Sequence, residues 1–337
     1  MPAPAAPRDA ASPAPHDAAG AVEIRVEVRP PWPFRLPGGS ADSLLRRRGT
    51  SLQRWLHIGD EPVHVAAIQA APDRVIFGAR AASRDVAEEG IARLRFATGV
   101  DDDLRPFHDR FRDDPVIGRA VRANPQLRVR RKCHPWEALV AAITEQLIEF
   151  ERAAAIQRRI IARLGRRCPE TALRDAPSPA VIAAQAPALL ASLDLAPKRA
   201  LALRRCAIEV SAGRVDLARH DVRRLLAIPE IGSWTVEMLG LHGQGRMDSL
   251  PAGDLGYLKL VGRLQTGNPQ ARAEEPEVRA FFARYEEWKG LAGEYLRAAA
   301  SQGLLSPDRT MIDRSVRRLN SSGERSSTSS RDAMQRS

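Results

Sequence analysis

Three stretches of the chain carry side chains whose types and spacing could do chemistry. The first is Leu225–Met238, LLAIPEIGSWTVEM. Pro229 ends one amphipathic helix, and Gly232 permits close backbone approach before a second helix opened by Ser233, Trp234 and Thr235. The N–H groups that begin a helix have no intrahelical partners and carry the positive end of its dipole, so such a turn suits a phosphate oxygen. An ordinary corner between two helices uses Pro and Gly in the same way. The second stretch is Met247–Gly256, MDSLPAGDLG, with Asp254 at a natural N-cap just before Leu255, Leu258, Leu260, Val261 and Leu264. Most such aspartates only cap. A lone carboxylate close behind a phosphate-gripping turn could also face a sugar and stabilise the positive charge that develops at C1′ as a base leaves. The third is Gln146-Leu147, inside a long apolar-periodic run, where Leu147 by itself reads as core.

The elements that must position these residues fall into two patterns. Val22, Ile24, Val26 and Val28 alternate with charged residues, the period-2 signature of a strand with one buried face. Strand-like pieces follow at Leu52–Ile58, Val63–Ile68 and Arg74–Phe77, and Arg84–Phe96 reads as a helix. Residues 21–100 are therefore expected to form a small α+β unit around an antiparallel sheet. From there the period becomes 3.6. Helices are expected at Asp103–Phe111, Val116–Ala123, Trp136–Leu164, Ser178–Ala186, Lys198–Ala212, Asp221–Ala227, Ser233–His242, Leu255–Leu264 and Glu275–Ala299, with Pro, Gly and Asp at the joints. The fold class expected is α+β, the sheet domain preceding an all-α array over 101–305. Residues 1–20 (Pro/Ala-rich) and 306–337 (Ser/Arg-rich) read as disordered segments, the latter a basic tail.

Composition narrows the classes. The 337 residues are 44% hydrophobic, enough for a sizeable core, with no apolar run long enough to span a bilayer. The net charge of +11, nearly all of it from Arg, suits an anionic partner such as nucleic acid, although Arg-rich, Ala-rich usage can also reflect genome composition. Cys133, Cys168 and Cys206 are too few and too scattered for a disulfide framework, a four-thiolate zinc site or an iron–sulfur cluster. No apolar signal segment opens the chain, so a cytoplasmic protein associated with the nucleoid through DNA is expected.

Taken in order, these motifs resemble the helix–hairpin–helix DNA glycosylases, specifically the alkylation-repair branch of 3-methyladenine DNA glycosylase II. The resemblance rests on the hairpin at about 221–242, the Pro251-x-x-Asp254-Leu255-Gly256 loop and the upstream helix Trp136-Glu137-Ala138-Leu139…Ile143-Thr144-Glu145-Gln146-Leu147-Ile148. It extends over roughly residues 21–303, including Asp102-Asp103-Leu104-Arg105-Pro106-Phe107 and Glu287-Trp288-Lys289-Gly290-Leu291-Ala292. It implies Asp254 as the catalytic carboxylate, Gln146 as a DNA contact and Leu147, next to it, as the wedge that fills the space left by a flipped nucleotide. It implies phosphate contacts from the backbone at Ile231 and Gly232, further DNA contacts from Pro229 and Thr235, and a base pocket near Trp234, Met238 and Leu291. A Na⁺ or K⁺ held by hairpin carbonyls near Ile231 is also implied, with no other cofactor. The activity implied is hydrolytic excision of alkylated bases (3-methyladenine and 7-methylguanine type) from double-stranded DNA in base excision repair, by a monomer with no membrane association.

Departures from the family pattern shape the expectation. Trp234 stands where strand-cleaving relatives place a nucleophilic Lys, so lyase chemistry is not expected. No Cys follows Cys206, so the four-Cys cluster of those relatives is absent. Glu230 replaces the first Gly of the usual Pro-Gly-x-Gly hairpin, which could weaken a phosphate grip or simply point to solvent. Met238 and Leu291 stand where some members carry aromatics, keeping open a glycosylase for another lesion, such as hypoxanthine or an oxidised purine. A non-catalytic DNA-binding relative is the remaining alternative. The three scattered Cys also argue against a fused methyl-accepting repair domain.

Overall fold

The computed structural model describes residues 21–219 and 221–305; the expected disordered segments 1–20 and 306–337 lie outside the described residues. The strands are β1 (Val22–Val28), β2 (Leu45–Arg48), β3 (Ser51–Ile58), β4 (Glu61–Ala71) and β5 (Arg74–Ala81). They form one antiparallel sheet in the order β1-β5-β4-β3-β2. Register sets Val63 opposite Ala81, Val65 opposite Ala79 and Ala67 opposite Phe77, so the apolar residues of adjacent strands share one buried face. The short edge strand β2 (LRRR) was not marked in the sequence, because three consecutive Arg hide any alternation. Exposed charge on such an edge discourages pairing with another chain.

Helix α1 (Arg84–Thr98) covers that face. Ser83 caps its start by accepting from the Val86 N–H, and Gly99, at φ +66°, ends it. Gly90 lets the helix approach closely: a Cβ there would lie 2.9 Å from the methyls of Val63 and Val65.

The helical region comprises α2 (Arg105–Phe111), α3 (Gly118–Ala123), α4 (Pro135–Glu145), α5 (Phe150–Leu164), α6 (Pro179–Ala183), α7 (Pro187–Ser192), α8 (Pro197–Ser211), α9 (Arg223–Leu226), α10 (Ser233–Met238), α11 (Leu255–Thr266), α12 (Glu275–Phe282) and α13 (Lys289–Ser301). The continuous helix expected over Trp136–Leu164 is in fact two, broken at Gln146–Glu149, a break the sequence conceals because the apolar period runs through it unchanged. The helix expected at Ser178–Ala186 ends at Ala183, and α7 follows a new proline, Pro187. The one expected over Glu275–Ala299 is interrupted by a 3₁₀ segment in which Glu286 turns to φ +45°.

Two separate cores organise the helices. One gathers Leu139, Ile143, Ile156, Leu203, Leu225, Ile231, Val236 and Leu239 from α4, α5, α8 and the region around α10. The other gathers Phe107, Ile117, Tyr257, Phe282, Tyr285, Leu291 and Tyr295 from α2, α3, α11 and α13 with their neighbours. Burying each such side chain contributes about 1.5–3 kcal/mol.

Sheet and helices meet at a charged junction. The fully buried Arg54 of β3 donates to Glu137 of α4 at 2.6 Å and to Asp175 at 2.7 Å, and Asp175 also faces the His57 ring at 2.9 Å. Burial pushes the Glu137 carboxyl up from its ordinary value; at Asp175, Arg54 and His57 outweigh burial and hold the carboxyl low. Removing one partner from such a buried set typically costs about 3–5 kcal/mol, because the remaining charge is left unpaired.

Candidate nucleic-acid interface and active site

Helix α10 is the spine of the site: Val236 anchors it in the first core, and the π-helical segment that follows places Leu239 in the first core and Leu241 in the second. The hairpin before it runs from α9 through Pro229, Glu230, Ile231 and Gly232. Ile228 donates to the Leu225 carbonyl at 2.9 Å and Ile231 to the Ile228 carbonyl at 3.0 Å, which tightens the turn. The Ile231 side chain is buried, anchoring the turn in the first core, so only its backbone is available to a ligand. Gly232 is extended and caps α10 without a side-chain bond. Among the described residues, the N–H groups of Gly232, Ser233 and Trp234 find no backbone carbonyl, and Gly232 and Ser233 are exposed. Exposed, unpaired N–H groups at a helix start are what a phosphate oxygen requires. Glu230, where the resembling pattern has Gly, adopts φ +73° and projects from an exposed position. A short π-helical segment, Leu239–Gly243, prolongs α10.

The break between α4 and α5 creates the projection expected of a wedge. Leu147 sits at φ +53° and is 98% exposed, and Phe150, at the start of α5, is 60% exposed. The core position that periodicity suggested for Leu147 is therefore wrong: the backbone leaves the helix one residue earlier. Phe150 escaped the sequence reading because an aromatic inside an amphipathic period looks like core. From α5, the buried Gln157 donates to the Thr144 hydroxyl at 2.9 Å and to the Glu145 carboxylate at 3.2 Å, bracing the base of the loop.

Gln146 was expected at the DNA. Its side-chain amide instead donates to the Glu230 carbonyl at 2.8 Å and to the Thr235 hydroxyl at 2.9 Å. Thr235, also expected to touch DNA, is 1% exposed, so its side chain is an internal acceptor rather than a ligand contact. Pro229 is exposed on the turn.

On the other side of α10, Asp254 caps α11. Its Oδ1 accepts from the Gly256 N–H at 2.8 Å and pairs with Arg297 of α13, also at 2.8 Å. Its Oδ2 meets only a long contact from the Trp234 indole N–H, 3.4 Å. One oxygen is thus firmly held while the other remains able to face a substrate. The Arg297 guanidinium lies 4.2 Å from the centre of the Tyr257 ring. Burial works against its charge, but Tyr257, Asp254 and Glu294 more than offset that, so it stays firmly cationic. Nothing in the sequence spacing marked Arg297, which meets Asp254 across about forty residues and two helices.

Trp234 is half-buried beside the carboxylate, and Met238 is half-buried one turn further along α10. Leu291 does not join them. It is wholly buried in the second core, on the face of α13 that packs with Tyr285 and Tyr295, and so lines no opening.

With this geometry in hand, comparison with known proteins is informative. No family model matches the chain. A curated relative, the probable bifunctional transcriptional activator/DNA repair enzyme AlkA of Mycobacterium tuberculosis, is 28% identical over 307 residues. The match covers 82% of this chain but only 57% of the relative's length. Among solved structures, 3-methyladenine DNA-glycosylase from Archaeoglobus fulgidus aligns with a TM-score of 0.69 at 18% identity, covering 82% of this chain and 97% of that one. The 8-oxoguanine glycosylase/lyase of Clostridium acetobutylicum, in its apo-form, aligns at 0.62 with 15% identity over 82% and 98% of the two chains. The chain is thus similar in sequence to a probable AlkA repair enzyme and shares its fold with these two glycosylase structures.

Proposed function

We propose that the chain is a monofunctional DNA glycosylase that releases alkylated purines, of the 3-methyladenine and 7-methylguanine type, from double-stranded DNA. The observation that carries this reading is the carboxylate of Asp254. It is fixed through one oxygen by Gly256 and Arg297, is open at the other, and stands one helix away from a hairpin of free N–H donors.

The roles follow from the chemistry. The hairpin backbone at Ile231 and Gly232 holds a phosphate, and Leu147 enters the stack where the target nucleotide is extruded. Extrusion costs a few kcal/mol, least for a weakened pair. An N3- or N7-alkylated purine carries positive charge, so it departs with the electron pair of the N-glycosidic bond without needing a strong general acid. Asp254 Oδ2 faces the oxocarbenium-like sugar and stabilises its charge. A water then adds its oxygen to C1′ and gives up a proton, leaving an abasic site and free base. Trp234 offers no amine to attack C1′, so the strand stays intact.

A Na⁺ or K⁺ at the hairpin would have to be held by backbone carbonyls alone. No cluster of His, Cys, Asp or Glu suited to a metal occurs among the described residues, and the Glu230 carbonyl is already engaged by Gln146. The carbonyl of Ile231, which accepts no backbone hydrogen bond among the described residues, is the one we assign, and the ion would stiffen the turn. We assign a monomer acting on nucleoid DNA in the cytoplasm; no described helix is long and apolar enough to cross a membrane.

The test is base release from methylated duplex DNA, read as free bases by chromatography, for wild type and Asp254→Asn. Release of 3- or 7-methylpurines by wild type only, with strand breaks appearing only after alkali, is the expected result. Release by both proteins would remove Asp254 from the mechanism. Silence from both would move the reading first to hypoxanthine and oxidised purines, and then to a DNA-binding relative without activity.

A further inference from the structure

The described chain has few non-glycine residues in the left-handed region, and two of them flank one side chain. Leu147, at φ +53°, directly follows Gln146, and Glu230, at φ +73°, offers Gln146 its carbonyl. Backbone held in this region is strained for a residue with a Cβ and persists only where the surroundings enforce it. The Gln146 amide has two N–H groups, and both are committed: one to the Glu230 carbonyl at 2.8 Å, one to the Thr235 hydroxyl at 2.9 Å. Thr235 is 1% exposed, so that acceptor is immobile. Gln157 meanwhile ties the end of α4 to α5 through Thr144 and Glu145. The projecting loop is thus braced below by one glutamine and sideways by another.

We propose that Gln146 is a positioning residue that locks the Leu147 wedge and the phosphate-gripping hairpin into one rigid unit. A backbone grip on the hairpin then sets where, and how deeply, Leu147 enters the stack. The inference rests on the wedge and hairpin roles given above, but it concerns their coupling, which no hairpin or wedge residue provides by itself. The gain is entropic. Without the amide, the loop must be ordered at the moment of insertion, and its two turns must find their strained conformations independently. Substitution by Met keeps the volume and removes both donors. Substitution by Glu keeps the shape but turns an oxygen toward the Glu230 carbonyl in place of an N–H.

The test uses the full chain and two duplexes of identical sequence, one undamaged and one holding a tetrahydrofuran abasic analogue. Wild type is compared with Gln146→Met, Gln146→Glu, Leu147→Ala and the Gln146→Met/Leu147→Ala double variant. Thermal melts show that each variant is folded. The expected result is a preference for the abasic duplex that falls about tenfold in both Gln146 variants, while affinity for undamaged DNA falls far less. Gln146→Met should add little once Leu147 is already Ala, since contacting residues that act as a unit are not additive. A preference left unchanged in both Gln146 variants overturns the coupling. So does an equal loss on the two duplexes, or a double variant whose losses simply add. If wild type itself shows no preference for the abasic duplex, the wedge reading fails and takes this inference with it. If wild type shows the preference but releases no base, only the catalytic reading fails, and the coupling is still decided by the variants.

Discussion

On one flank of α10, Leu147 and Glu230 stand exposed on turns, both with positive φ. On the other flank, Asp254 has ordinary cap geometry and is held by a backbone N–H, a guanidinium and an indole. The gripping half belongs to the core around α4, α5 and α8, and the carboxylate half to the core around α11 and α13. The contrast matches what the proposed function asks of each half. A group that stabilises charge in a transition state gains most when it is preorganised and need not move. Groups that enter a duplex must project from the protein, so strain and exposure are unavoidable there. On the proposed function, stability at the hairpin-and-wedge end is given up for reach, whereas at Asp254 stability and position come from the same contacts.

Substitutions can break or sharpen this contrast. Asp254→Asn should have the largest effect, lowering base release by about 10²–10³-fold, the usual consequence of removing one preorganised electrostatic group. Binding to abasic-analogue DNA should persist, because the hairpin and wedge are untouched; lost binding would mean the two halves are not separable. Arg297→Met should follow, with excision rate down about tenfold to a hundredfold as Asp254 loses the cation that fixes Oδ1. Measured at saturating DNA, the loss should fall on kcat and leave KM nearly unchanged. A change in KM alone would place Arg297 with the gripping half instead.

Leu147→Ala should reduce excision about tenfold while leaving the melting temperature unchanged or slightly higher, since a side chain 98% exposed contributes no core packing. A marked drop in melting temperature would contradict the separation of wedge from core. The smallest effect belongs to Glu230→Gly. Relief of the φ +73° backbone should stabilise the protein by about 1 kcal/mol, and removal of a carboxylate from the hairpin should tighten binding to duplex DNA at low salt. Chemical denaturation and a salt titration read the two parts. Loss of stability would show that the Glu230 side chain makes a favourable interaction that outweighs its strain.

Much of the architecture was legible in the sequence because it rests on local signals. The alternation at Val22–Val28 marked β1, and the switch from period 2 to period 3.6 marked the passage from sheet to helices. Asp254 was recognisable as an N-cap from the apolar run that follows it, and Pro229 and Gly232 as the punctuation of a hairpin. Where periodicity misled, it did so for a definite reason. The 3.6-residue rhythm of Trp136–Leu164 continues across Gln146–Glu149, so nothing local reveals that the backbone departs from the helix there. Leu291 failed in the opposite sense: its motif suggested a pocket, whereas its face of α13 is the packing face.

By itself, then, the sequence determined most of the strands and helices, the hairpin turn and the cap that holds Asp254, since each depends on residues within a few positions of one another. It could not determine the meeting of Gln146 with Glu230 and Thr235, of Trp234 with Asp254, or of Asp254 with Arg297. Those contacts join segments separated by twenty to ninety residues, and they exist only because two apolar cores meet just beyond α10, with Leu239 in one and Leu241 in the other. Hydrophobic burial is non-directional and fixes which helices come together. The directional bonds that make a site are then selected from whatever polar groups that packing brings within about 3 Å.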